Sequence, residues 1–144
     1  MEIRNIDDCF KLRLLRKIIP DKEKSKKSIK ISKDKLKSAK EAFKLKFFRY
    51  AIIDSYMAIF HAARALLYKD GIQEKNHFAV YIYLKEKYSN KIPLPVINYF
   101  NIHRKERHES MYGLEYEPSE DDAKTALNDA EEFLKEIGKL FNKN

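Results

Sequence analysis

The chain has few of the residues that end or break helices. It contains only three glycines and four prolines in 144 residues. Lysine, glutamate, leucine, isoleucine and alanine fill the long stretches between them. This composition favours an all-α protein. The length fits one domain over residues 1–144, large enough to bury a core.

Cysteine is almost absent, and histidine is scarce. Cys9 is the single cysteine, which excludes an internal disulfide and a cysteine-based zinc site. On the expected first helix we interpret it as a small buried or half-buried side chain. The four histidines show neither an HExxH pattern nor a nearby acid pair at ligand spacing. We therefore expect no metal and no cofactor.

Long apolar runs are also missing. No segment approaches the length of apolar sequence that crosses a bilayer. The first ten residues, MEIRNIDDCF, include acidic residues where a signal peptide would be apolar. We therefore expect a soluble cytoplasmic protein with no membrane contact.

Charged residues are abundant, and the net charge is +8. Positive and negative residues are unevenly distributed along the chain. Residues 21–46 hold eleven lysines and four acids, a local net charge of +7, whereas residues 115–144 hold nine acids and four lysines, a local net charge of −5. A basic stripe can bind nucleic acid through its phosphates. This stretch has few aromatic residues to stack bases, and acids are interspersed along it. For the lysines alone we therefore prefer the interpretation of a solvated helix face.

Helical periodicity and helix-ending residues predict six helices. The first is short and ends before Pro20, and the third is the most apolar, so we place it at the centre of the fold. Gly71 marks its end, and Ser119 is expected to cap the last helix. The predicted helices cover residues 2–18, 22–45, 48–69, 76–88 and 95–113, with the last starting near residue 118. Long helices with short connections indicate an antiparallel four-helix-type bundle with additional short helices.

His61 and Arg64 are polar residues within AIFHAARALL, the most apolar stretch of the third helix. A buried arginine without a partner is costly. Arg64 therefore reaches the surface, pairs with an acid, or faces a cavity or subunit interface. A histidine in such a place is more often a core or interface residue than a catalytic one. We keep both as candidate phosphate-binding residues.

The sequence HRKERHESMYG, residues 103–113, carries the strongest functional signal. Helical spacing puts His103 beside Arg107, Arg104 beside His108, and His108 beside Tyr112. Histidine transfers protons near neutral pH, and arginine holds phosphate with two parallel hydrogen bonds. These groups suit RNA binding, or metal-free cleavage in which a base takes the ribose 2′-hydroxyl proton. The bare cluster is also compatible with an ordinary C-terminal helix end, because cations suit the negative, C-terminal end of the helix dipole.

Five stretches of the chain follow a known pattern: LRLLRKIIPD (residues 12–21), SYMAIFHAARALLYKDGI (residues 55–72), KNHFAVYIYL (residues 75–84), RHESMYG (residues 107–113) and AEEFL (residues 130–134). The more specific elements are FHAARALL and the later Arg…Tyr-Gly. In these stretches the chain resembles one family, the small HEPN-domain proteins.

The resemblance implies a compact helical bundle that forms a homodimer, often encoded beside a minimal nucleotidyltransferase. Many HEPN domains are metal-independent endoribonucleases used as toxins or in defence. Their signature is an arginine, a polar residue, a few more positions and then a histidine. Arg107 matches the arginine, but the histidine position falls on Tyr112, which is a poor base at neutral pH. His103 and His108 lie within about a turn of Arg107 and are candidate substitutes.

The resulting prediction is a dimeric module that binds RNA or nucleotide. It would belong to a toxin–antitoxin or nucleotidyltransferase-associated system and have a degenerate catalytic motif. The alternative is an active, metal-independent endoribonuclease toxin. A third interpretation gives the motif a structural role in holding the dimer. The candidate catalytic residues are Arg107, Tyr112, His108 and His103, and the candidate phosphate-binding residues are Arg104, Arg107, Arg64 and His61.

Overall fold

A computed structural model describes residues 2–142 and confirms an all-α protein with only a small two-stranded ribbon. Four long helices form the bundle, and two short helices and the ribbon lie beside it. The elements are α1 Ile6–Lys11, β1 Leu15–Lys17, α2 Lys22–Lys44, α3 Phe48–Asp70, β2 Ile72–Glu74, α4 His77–Lys87, α5 Leu94–Tyr112 and α6 Glu120–Phe141.

The predicted first helix over residues 2–18 is wrong at both ends. Helix α1 begins after Asn5, whose side chain caps its first turn. It ends just before Arg13, which adopts a left-handed conformation with φ of 58°. The chain then forms β1, which pairs antiparallel with β2, Leu15 opposite Glu74. The buried Leu15 gains more from this ribbon than from a longer surface helix.

Helix α3 is the centre of the molecule, as its apolar sequence predicts. Thirteen of its 23 residues are buried. Gly71 ends the helix in a left-handed conformation with φ of 80°, which confirms the predicted stop. The largest fully buried side chains include Tyr56, Ile59 and Leu66 of α3, Phe100 of α5, and Phe133 and Ile137 of α6.

Helix α2 packs on α3 through small residues. Ala39 is buried, and Ile29, Leu36 and Phe43 are half-buried and pack against the core. The other buried residues of α2 are serines. The hydroxyl of Ser25 donates to the Ala65 carbonyl at 2.8 Å, and that of Ser28 to the His61 carbonyl at 2.7 Å. Small side chains allow the two helices to approach closely, and most lysines of α2 remain in solvent.

The motif helix and the last helix start close to where the sequence places them. Helix α5 starts at Leu94 with a proline in its first turn. Ser119 caps α6 and forms a reciprocal pair of hydrogen bonds with Asp122, which confirms the predicted cap. Because α5 packs against both α3 and α6, the motif residues lie over the centre of the bundle.

Candidate functional site

Helix α5 divides the motif residues between a buried side and an exposed side. His103 is buried and Arg104 and Arg107 are partly buried, whereas His108 and Tyr112 are exposed. Five residues of α-helix correspond to a rotation of about 140°. Arg107 and Tyr112 therefore project from different sides of α5 within one chain.

His103 joins α5 to α6. Its Nδ1 lies 3.0 Å from Oε1 of Glu106, and its Nε2 lies 2.7 Å from Oδ2 of Asp129. Burial disfavours the charged ring, but the hydrogen bonds and charges of both carboxylates outweigh this and raise the pKa of His103. With both ring nitrogens occupied, His103 has no free nitrogen with which to exchange a proton with a substrate.

Four candidate phosphate-binding residues converge on a histidine that the sequence analysis does not select, His77. It is the first residue of α4. Burial, followed by the charges of Arg107, Arg104, Arg64 and His61, lowers the pKa of His77 to about 4. We refer to these five residues as the cationic cluster. The structure thus brings together side chains from α3, α4 and α5.

The ring of Phe60 on α3 packs against three members of the cationic cluster. The His77 ring stacks on it with centroids 4.0 Å apart and planes 14° apart. The His61 ring lies edge-on at 5.3 Å, and the guanidinium carbon of Arg64 lies 5.7 Å from the ring centre. An aromatic face attracts a nearby cation, so Phe60 helps to hold the cluster in place.

The three arginines differ in how far their charge is compensated. Nε of Arg64 lies 2.7 Å from Oε1 of Glu74, so pairing with an acid is the one of the three alternatives that this contact shows. Nε of Arg104 donates to the neutral Asn101 at 3.0 Å. Nε of Arg107 is buried without a hydrogen-bond partner. Within residues 2–142, neither Arg104 nor Arg107 forms an ion pair, so both charges remain available to an anion.

His61 borders a second basic surface. Its Nδ1 is buried and has no hydrogen-bond partner among the described residues. Burial first, then Arg64 and Lys35, lower the pKa of His61. A shallow cavity of about 160 Å³ adjoins His61 and Arg64 and is also lined by Lys24 and Lys27 of α2. The start of the lysine-rich helix therefore extends the positive surface beside the cationic cluster.

His108 and Tyr112 form a separate exposed pair at the end of α5. Their ring centres are 4.9 Å apart, and Tyr112 is 62% exposed. Arg49 of α3 ties this end of α5 down by donating hydrogen bonds to the carbonyls of Ser110 and Tyr116. The two residues stay candidates, but the single chain does not place them with the cationic cluster.

Sequence reasoning misses His77 and its partner Tyr56. The Tyr56 hydroxyl oxygen lies 2.7 Å from Nδ1 of His77. Tyr56 is fully buried, and burial strongly raises its pKa despite the opposing charges of Arg104 and Arg107. The one local signal was the helix-capping Asn76 directly before the histidine. Such a cap places a histidine at a helix start but does not indicate which helices it faces.

Among residues 2–142, no three or more histidine, cysteine, aspartate or glutamate side chains are grouped to hold a metal ion. No helix in that part of the chain is both long and apolar enough to cross a membrane. Cys9 is buried, as expected, and burial together with the charges of Glu86 and Asp8 raises its pKa.

Comparison with known proteins identifies the family. The model of the HEPN domain matches residues 25–140, which include α2 to α6 almost completely. The chain is 31% identical over 120 residues to the Methanocaldococcus jannaschii protein named "Putative toxin MJ0605", covering 78% of this chain and 85% of that protein. It is 32% identical over 111 residues to an Archaeoglobus fulgidus protein named "UPF0332 protein", covering 76% and 88% of the two chains. The chain belongs to the HEPN-domain family.

Proposed function

We propose that this HEPN-domain protein is a toxin-like module that binds RNA, or a nucleotide, through the cationic cluster. The observation that carries the proposal is the convergence of three arginines and two histidines from α3, α4 and α5. Arg107 supports it most strongly, because its charge has no acidic partner among residues 2–142 and its Nε is buried without a hydrogen bond. A phosphate group bound at the terminal nitrogens of this partly exposed guanidinium would supply the missing negative charge.

The basic surface beside the cationic cluster favours a ligand with several phosphates in a row over a single small anion. Lys24 and Lys27 line the cavity next to His61 and Arg64. Successive contacts of this kind give affinity with little sequence preference and a strong dependence on salt. The name of the Methanocaldococcus relative, which includes the word toxin, supports a role in a toxin–antitoxin system.

Fluorescence anisotropy with a labelled single-stranded RNA tests the proposal. We expect Arg107→Ala to weaken binding by about tenfold, because it removes a charged hydrogen-bond donor to phosphate. Lys105→Ala is the matched control, since Lys105 is exposed on the same helix. It should change affinity by less than about threefold. Equal affinities of wild type and Arg107→Ala would refute the assignment of the cationic cluster as the RNA-binding site.

We further propose that the protein works as a homodimer, and that a minimal nucleotidyltransferase is its partner. The charges of Arg104 and Arg107, which form no ion pair among residues 2–142, support a surface that is completed by a second molecule, either RNA or another protein chain. Light scattering tests the dimer, and a monomer at all concentrations would contradict it. Co-purification with the product of the adjacent reading frame tests the partner.

Metal-independent cleavage is the second candidate, and one observation favours it. The structure supplies a histidine, His77, whose pKa is lowered first by burial and then by the charge of Arg107, although Tyr112 occupies the position of the usual histidine. Incubation of RNA with wild type, Arg107→Ala, His77→Ala and His108→Ala in the presence of a chelator decides the matter. Products ending in 2′,3′-cyclic phosphate that depend on Arg107 would support cleavage, and equal background in all four proteins would exclude it.

A further inference from the structure

We propose that His77 binds phosphate directly through its Nε2–H group, and that Tyr56 positions it for this by fixing the tautomer of the ring. The inference rests on the proposed function, since it adds a residue to the same RNA-binding site. It depends on three observations, namely the hydrogen bond of Tyr56, the stacking on Phe60 and the surrounding arginines.

The hydrogen bond between Tyr56 and His77 determines which ring nitrogen carries the proton. The two atoms, Oη and Nδ1, are 2.7 Å apart, and Oη makes no other hydrogen bond within residues 2–142. If Tyr56 accepted a proton from Nδ1, its own buried hydroxyl hydrogen would lack an acceptor, which is costly. Tyr56 therefore donates to Nδ1. In the neutral ring the proton then lies on Nε2.

The position of the His77 ring is fixed on one side and open on the other. It stacks on Phe60 with centroids 4.0 Å apart. The residue is nevertheless partly exposed, and Nε2 has no hydrogen-bond partner among the described residues. Nε2–H is therefore a preorganised donor, and a bound phosphate oxygen would accept its hydrogen bond.

The charged neighbours of His77 link RNA binding to proton uptake. In the free protein the ring is neutral, because burial and the nearby positive charges lower its pKa to about 4. A bound phosphate would offset the arginine charges and raise that pKa. The added proton would go to Nδ1, and the Tyr56 hydroxyl would then turn to accept from it, which keeps the pKa below its ordinary value. The groups close to His77 are Tyr56, His61 and Arg64 of α3, with Glu74 of β2 paired to Arg64, and Arg104 and Arg107 of α5.

The direction of the pH effect follows from this difference. A group whose pKa rises on binding takes up a proton between the two pKa values, so affinity increases as pH falls through that range. We expect affinity to increase by about threefold from about pH 7 to about pH 5, at constant ionic strength. The phosphodiester itself does not titrate there.

Two substitutions separate the donor role from the titration. His77→Gln places a non-titrating amide, which can still donate, close to the position of Nε2. It should keep affinity within about twofold at neutral pH and lose the increase at acidic pH. His77→Asn keeps a group near Nδ1 but loses the Nε2 donor, so it should bind about fivefold more weakly. His61→Gln is the control and should retain the His77-dependent part of the pH profile.

The experiment combines these variants with a measurement on the wild-type protein. Anisotropy with a labelled single-stranded RNA of about 12 nucleotides gives affinity at each pH. Two-bond ¹H–¹⁵N NMR of the histidine rings, assigned with His77→Gln, reports the tautomer without a substitution. We expect the Nε2–H tautomer in free protein, and a change in the His77 signals when RNA is added.

The possible outcomes distinguish this inference from the proposed function. If Arg107→Ala abolishes RNA binding, but His77→Gln keeps the wild-type pH profile and RNA leaves the His77 signals unchanged, the inference is wrong and the proposed function stands. An Nδ1–H tautomer would also overturn it. If wild type binds no RNA, both fail together. Tyr56→Phe should weaken binding by a few-fold and populate the other tautomer.

Discussion

Nε2 of His103 lies 2.7 Å from Oδ2 of Asp129, and this contact joins the motif helix α5 to the last helix α6. The second ring nitrogen lies 3.0 Å from Glu106 on α5 itself. A protonated ring can donate to both carboxylates, whereas a neutral ring can donate to only one. His103 therefore stabilises the fold most when it is charged. It thereby holds α5, which carries the candidate residues Arg104 and Arg107, against α6.

The stability contributed by His103 should depend on pH. Its folded pKa is raised by Glu106 and Asp129 despite burial, so its contribution is present below the unfolded pKa of about 6.5 and is lost as pH rises through the folded pKa. We expect His103→Gln to lower the free energy of unfolding by about 3 kcal/mol at acidic pH, and by less at alkaline pH.

Urea denaturation of both proteins across this pH range measures the effect. The difference between them isolates His103, because both retain His61 and His77, whose lowered pKa values act in the opposite direction. A difference that is independent of pH, or that grows as pH rises, would show that the ring is not held by the two carboxylates.

If the proposed function is correct, Glu74 competes with phosphate for Arg64. Their side chains form a 2.7 Å ion pair that is mostly screened from solvent. Glu74→Gln removes the negative charge but keeps an oxygen that can accept the hydrogen bond. We expect RNA affinity to increase by about threefold at low salt, measured by anisotropy. Glu131→Gln, which removes an acid paired with Lys40 instead, should have a smaller effect. Unchanged affinity in Glu74→Gln would place Arg64 outside the RNA-binding surface.

Gly71 and Gly138 provide a matched pair of stability tests. A Cβ at Gly71 would lie 2.7 Å from the Ile18 carbonyl oxygen, and the backbone there has φ of +80°. Gly71→Ala should therefore destabilise the fold by about 2–3 kcal/mol. Gly138 lies within α6 and a Cβ there meets no atom within 4 Å. Gly138→Ala should stabilise by about 0.5–1 kcal/mol. Thermal unfolding distinguishes the two, and a tolerated Gly71→Ala would contradict the described end of α3.

The sequence predicts the long helices because they carry strong periodic signals. Helix α3 is apolar over most of its surface, and Ser119 marks the start of α6, so both appear where expected. The β-ribbon is missed because each strand has three residues, too few for an alternating pattern. The burial of the serines of α2 is missed, because hydrophobic periodicity counts only apolar residues as buried. Ser25 and Ser28 are buried because their hydroxyls bond to carbonyls of α3.

The candidate site residues are likewise divided between those that the sequence predicts and those that it misses. Arg104 and Arg107 are predicted from one continuous motif, and the structure brings them together with Arg64 from another helix. The role of His103 is not visible in the motif, because its partner Asp129 lies 26 residues away. His77 is missed for the same reason, since only the packing of α4 against α3 and α5 places it beside the arginines. The spacing of residues along the chain does not show which distant residues the fold brings together.

The salt dependence of RNA affinity tests the central claim most directly. Two variants each lose three positive charges, one from the cationic cluster and one from the exposed face of α2. The first replaces Arg64, Arg104 and Arg107 with Gln, and the second replaces Lys26, Lys37 and Lys44 with Gln. We predict that the arginine variant loses most of its affinity and that its slope of log affinity against log salt falls by about 3, while the lysine variant changes much less. Loss of affinity and slope in the lysine variant, with both retained in the arginine variant, would contradict the account.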